Sequence, residues 1–127
     1  MNKVLKTIEV MLQERNREKI SDVQFVEEDD YYFKYKGHLL GLYKFTERDL
    51  DGNTNIEYGI NFNVNPFERS SGIFYRTNQR DYWSSESRTL FETLFNVIVE
   101  KYYGLDNIFN DILADDNTPI FEDEITF

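Results

Sequence analysis

The sequence predicts an α+β fold: an N-terminal helix, an antiparallel meander of four or five strands, then one long and one short helix packed on the sheet, with an acidic C-terminal tail. Three observations predict it. Apolar residues recur at helical spacing near the start and again after Ser84. Between them the period drops to two, most clearly in "NIEYGINFNV". Short polar connections separate the strands, which favours antiparallel neighbours.

The first helix is expected from about Lys3 to Lys19. Asn2 can cap it, and Leu5, Ile8, Met11, Leu12 and Ile20 form its apolar face. "VQFVEE" (Val23 to Glu28) reads as a strand with Val23 and Phe25 on one side. Asp29-Asp30 is a turn signal. "YYFKYK" is the next strand, with Tyr31, Phe33 and Tyr35 on the core face and Tyr32, Lys34 and Lys36 opposite. Gly37-His38 turns the chain into "LLGLYKF".

"TERDLDGNTN" is a hairpin connection. The following strand alternates Ile56, Tyr58, Ile60, Phe62 and Val64 with Asn55, Glu57, Gly59, Asn61 and Asn63. The second set is expected to be wet. Pro66 ends the strand, and "GIFYRT" (Gly72 to Thr77) is a fifth. Ser84 or Ser85 then caps a helix whose stripe is Leu90, Phe91, Leu94, Phe95, Ile98 and Tyr102, stopped at Gly104. A short amphipathic helix follows, with Leu105, Ile108, Phe109 and Ile112 apolar. Residues 1–114 read as one domain. Residues 115–127 read as an acidic tail with room for an edge strand.

The composition points to an ordered chain. Among 127 residues, 17% are aromatic, too many for a disordered polymer and enough for a core built largely from rings. There is no cysteine, hence no disulfide or thiolate chemistry. No apolar run approaches the roughly 20 residues that span a bilayer, and the start is too polar for a secretory segment. The expected location is cytoplasmic. Low Ala, Gly and Pro with abundant Asn, Ile, Lys, Phe and Tyr suggest AT-rich coding, as in low-GC bacteria, their phages or mobile elements.

Charge narrows the partner. The net charge is −10, and the segment from Leu105 onward holds seven acids and no Lys or Arg. Such a field repels nucleic acid and anionic lipid and favours basic surfaces. The expected partner is a protein with a basic surface, with no direct nucleic-acid or membrane binding. Three arginines, Arg69, Arg76 and Arg80, stand among Tyr75, Tyr82 and Trp83, a small basic-aromatic patch too isolated to read as a nucleic-acid site.

Motifs for catalysis are missing. His38 is the one histidine, in a turn, so no His-based metal cluster or Ser-His-Asp triad is expected. No glycine-rich phosphate loop or nucleophile elbow is present. Glu47, Asp49, Asp51 and Gly52 imitate the start of a calcium loop, but Tyr58 stands where a bidentate Glu is needed and the flanks are strands. The expectation is therefore no enzyme, no cofactor and no metal.

What remains is a set of acidic and aromatic contact residues. Glu27, Glu28, Asp29 and Asp30, with Tyr32, form one candidate partner-binding group. Asp115, Asp116, Glu122, Asp123 and Glu124 form the other. The expected function is an inhibitor whose carboxylates replace phosphates on the nucleic-acid site of an effector. Phage anti-defence proteins (anti-CRISPR or anti-restriction) and nuclease-toxin immunity proteins share this profile of size and acidity, though no motif ties the chain to them. Alternatives are an acidic chaperone for secreted proteins or a calcium-binding module.

Overall fold

The computed structural model describes residues 2–62 and 72–116. Its element order is α1 (Lys3–Leu12), α2 (Glu14–Arg17), β1 (Ile20–Glu27), β2 (Asp30–Tyr35), β3 (His38–Arg48), β4 (Thr54–Phe62), β5 (Ile73–Arg76), a 3-10 turn (Arg80–Tyr82), α3 (Ser85–Tyr103) and α4 (Leu105–Leu113). The five strands lie in chain order in one antiparallel meander. The fold class is the one the sequence predicts.

The N-terminal helix is shorter than expected. Asn2 caps it, its Oδ1 accepting from the Leu5 N–H at 2.9 Å. The helix then breaks at Gln13, whose backbone is extended (ψ 137°). Asn16 bridges the break, donating from Nδ2 to the Val10 carbonyl at 2.9 Å and accepting from Lys19 at 3.1 Å. The break moves Ile20 off the helix and onto β1, where it is buried.

β1 has eight residues against six in β2, and two bulges absorb the difference. Asp22, with φ 51°, sits in the first. Each bulge interrupts the alternation of sides. Ile20 lies opposite Tyr35 and Phe25 opposite Tyr31, so both face the helices although their numbers differ in parity. The tight turn between β2 and β3 is Lys36-Gly37, one residue earlier than expected, and both residues have positive φ.

The core lies on one face of the sheet. Phe33, Leu42, Ile60, Ile8, Phe91, Leu94 and Ile98 are fully buried there, between the sheet and the packed pair α1 and α3. Rings chain through it: Tyr31 to Phe95 to Tyr58, and Phe62 to Tyr75 to Tyr82 to Phe91, with centroids 5.7 to 5.9 Å apart. Edge-on and tilted contacts of this kind add to the area that each ring removes from water. Ser84 caps α3, its Oγ accepting from the Ser87 N–H at 3.1 Å. Gly104 ends α3 in the left-handed conformation (φ 65°), where a side chain would be disfavoured.

The other face of the sheet is not the wet surface expected of Asn55, Glu57, Gly59 and Asn61. Asn61 is buried and Glu57 half-buried; only Asn55 is exposed. Large rings from neighbouring strands account for this. The Tyr32 ring lies beside Gly41, and the Tyr43 ring lies over Gly59. Asn63, Val64, Pro66 and Arg69, and the proposed tail strand, lie outside the described residues.

Candidate functional site

The acidic stretch Glu27–Asp30 resolves into a tight hairpin. Glu27 and Asp30 are cross-strand partners that close the β1–β2 ladder, and Glu28-Asp29 forms the turn between them. The turn is therefore one residue earlier than Asp29-Asp30. Asp29 takes φ 62°, a conformation that Asp tolerates better than most residues. Its carbonyl accepts from the Lys44 N–H at 2.9 Å, which fastens the turn to β3. Glu27 and Glu28 are exposed, and Asp29 and Asp30 half-buried.

Beside this turn stands a group of rings. Phe25, 47% exposed, stacks on Tyr102 at 5.9 Å and meets Tyr31 edge-on at 5.8 Å. Tyr102 lies 5.5 Å from Tyr31 and 5.0 Å from Tyr103. The last turn of α3 thus seats against the hairpin end. Burial, a hydrogen bond with Tyr103 and the nearby Asp29 carboxylate push the Tyr31 phenol up to about 12. Tyr103 remains 56% exposed.

α4 leaves this point directly, after Gly104. Its Leu105 is half-buried, but Ile108, Phe109, Ile112 and Leu113 are all about half exposed or more, and no α4 residue is buried. The stripe was legible from its spacing. Its exposure was not, since periodicity shows which side is apolar and not whether that side finds a neighbour.

The structure separates some predicted site residues. Tyr32 lies on the sheet face opposite the helices, away from Phe25 and Tyr102. Asp115 and Asp116 follow α4 and are exposed; Glu122, Asp123 and Glu124 lie outside the described residues. Phe25, Tyr102 and Tyr103 are the contact candidates that sequence reasoning missed. Phe25 was expected only to share a side of its strand with Val23; strand order puts β1 at the edge of the sheet, and there Phe25 lies opposite Tyr31 on the side of the helices.

The basic-aromatic patch is divided by strand alternation. Arg76 lies on the outer face, with its guanidinium carbon 5.4 Å from the Phe74 ring centre and a hydrogen bond with Tyr43. Tyr75 and Tyr82 turn inward and pack on each other. The calcium-like loop closes on itself. Asp49 Oδ1 accepts from the Asp51 N–H at 2.9 Å and the Asn53 N–H at 2.8 Å, so this carboxylate serves the turn. Among the described residues no three His, Asp or Glu side chains converge as metal ligands. His38 is exposed at the start of β3.

One open cleft of about 320 Å³ lies beside the β3–β4 arm, with Phe45, Glu47, Glu57, Trp83 and Arg88 in its walls. The Arg88 guanidinium donates to the Ile56 carbonyl at 2.8 Å, and Glu57 Oε1 is buried with no hydrogen-bond partner among the described residues. No described helix is long and apolar enough to cross a membrane.

Comparison with known proteins returned no matching family model, no matching curated protein and no matching solved structure.

Proposed function

We propose that this protein is a binding protein that covers a basic, nucleic-acid-binding surface of a protein effector and so inhibits it. The observation that carries the reading is the adjacency of the acidic Glu27–Asp30 turn to the exposed rings of Phe25 and Tyr103. Carboxylates on a hairpin fastened to β3 can take the places of phosphates. Large rings beside them supply the desolvated anchors on which protein interfaces depend. The net charge of −10 steers the encounter toward positive surfaces.

The test is capture of the partner from the native host, followed by titration of the purified pair across salt. Affinity should fall at least about tenfold between about 50 and about 500 mM salt. The captured effector should lose nucleic-acid binding in the presence of this protein. Replacing Glu27 and Glu28 by Lys, both exposed, should leave the melting temperature nearly unchanged and weaken the complex. A partner without a basic surface, or affinity indifferent to salt and to these substitutions, would overturn the reading.

A further inference from the structure

We infer that the exposed apolar face of α4 is a docking surface for a basic amphipathic helix of a partner protein. The inference rests on the reading of the protein as a binder of basic partners and names a second, independent contact.

α4 has nine residues, fewer than the roughly 12 to 15 at which an isolated helix becomes stable in water. Tertiary packing of an apolar stripe ordinarily makes up that deficit. Here Leu105 alone of the stripe is half-buried, while Ile108, Phe109, Ile112 and Leu113 are 49, 50, 62 and 65% exposed. Spaced as i, i+3, i+4 and i+7 from Leu105, the stripe has the pattern of helix-in-groove recognition.

Charge selects the occupant. Asp106, at the start of the helix where a carboxylate suits the dipole, lines a cleft with Arg17 and Lys101 and with the acids Glu14, Glu18 and Glu100. Asp111 lies near the C-terminal end, where the dipole is negative, and the described residues place no ion-paired cation on it. Asp115 follows it. From Leu105 to the last residue the sequence contains no Lys or Arg. A second copy of α4 would therefore set carboxylates against carboxylates. The chain's own terminal segment, with Glu122, Asp123 and Glu124, brings the same sign. Anionic lipid is repelled for the same reason. A helix with an apolar stripe bordered by Lys or Arg is complementary in both respects.

The test uses the full chain and labelled synthetic peptides. One peptide places Leu at a helical stripe with Lys on its borders. A second scrambles the same composition, and a third carries Glu in place of Lys. The striped Lys peptide should bind at least about tenfold more tightly than either control. Ile108→Ser with Ile112→Ser should weaken it about tenfold or more. Because that variant can melt the helix, Asp111→Lys is the companion: it keeps the stripe, and should weaken the Lys peptide while strengthening the Glu peptide. Glu27→Lys with Glu28→Lys should change peptide affinity less than about threefold, which separates this surface from the acidic turn.

Several results would overturn the inference. Equal binding of the scrambled peptide would do so, as would indifference to both α4 variants. A dimer in sedimentation equilibrium that Ile112→Ser dissolves would assign the face to a second copy. Peptide binding that emerges only after Ile120→Ser with Phe121→Ser would assign it to the chain's own end. Stronger binding to neutral phosphatidylcholine vesicles than to the peptide would assign it to lipid.

Discussion

The ring of Tyr43 on β3 occupies the space in which a side chain on Gly59 of β4 would stand, directly across the ladder. One residue without a Cβ lets its neighbour lie flat, and the flat ring shields the backbone that the glycine leaves bare. Gly59→Ala should therefore expel Tyr43 and cost about 1 to 3 kcal/mol. In a Tyr43→Ala background the same substitution should cost much less. A double-mutant cycle in urea measures the coupling; additive costs would show that the two residues are independent.

Thr77 ends the β4–β5 ladder with its side chain. Its Oγ1 accepts from the Tyr58 N–H at 2.9 Å, its own N–H donates to the Tyr58 carbonyl at 2.9 Å, and the residue is fully buried. Thr77→Val keeps the shape but leaves the Tyr58 N–H without an acceptor. The expected loss is about 1 to 3 kcal/mol. Chemical denaturation decides the matter, and a neutral Val variant would mean that the hydroxyl is dispensable.

The Lys36-Gly37 turn holds a lysine at φ 51°, followed by glycine at φ 83°. Two positive φ values in a two-residue hairpin are what Asn-Gly satisfies best. Lys36→Asn should stabilise the protein by about 0.5 to 1 kcal/mol. An unchanged or lowered melting temperature would contradict it.

Alkaline pH should unfold the protein earlier than ordinary tyrosines would predict. Burial, the hydrogen bond with Tyr103 and nearby charge raise the Tyr31 phenol to about 12 from 10, and burial raises Tyr43, Tyr58 and Tyr82 in the same direction. The folded state holds these protons more tightly than the unfolded state. Their contribution is complete below about pH 10 and is lost as pH rises above it, that of Tyr31 as pH climbs through about 12. Melting temperatures recorded from about pH 8 to about pH 12 should fall above about pH 10, and Tyr31→Phe should make the fall shallower. A flat profile to pH 12 would argue against buried phenols.

The secondary structure was largely legible because it depends on local period and caps. The alternation from Ile56 to Phe62 specified β4, Ser84 and Gly104 bracket α3, and the same-face set Tyr31, Phe33 and Tyr35 does face the helices. Departures occurred where the backbone leaves its ideal course. The break at Gln13 and the bulges of β1 are single-residue events that leave no periodic trace. The break moved Ile20 into the sheet, and the first bulge set Phe25 on the same side of it as Ile20.

The candidate surface was only half legible. Sequence by itself determined that Glu27 to Asp30 lie together at a turn and that Leu105 to Leu113 has an apolar side, since both follow from residues near one another in the chain. Tertiary structure alone decided that Tyr102 of α3 stacks on Phe25 of β1, far away in sequence, so that the acidic turn and the exposed rings stand side by side. It also decided that Tyr43 and Tyr32 close the sheet's outer face while the α4 stripe stays open. A spacing pattern encodes which sides are apolar; which of them are covered depends on where distant segments end, and no local pattern carries that information.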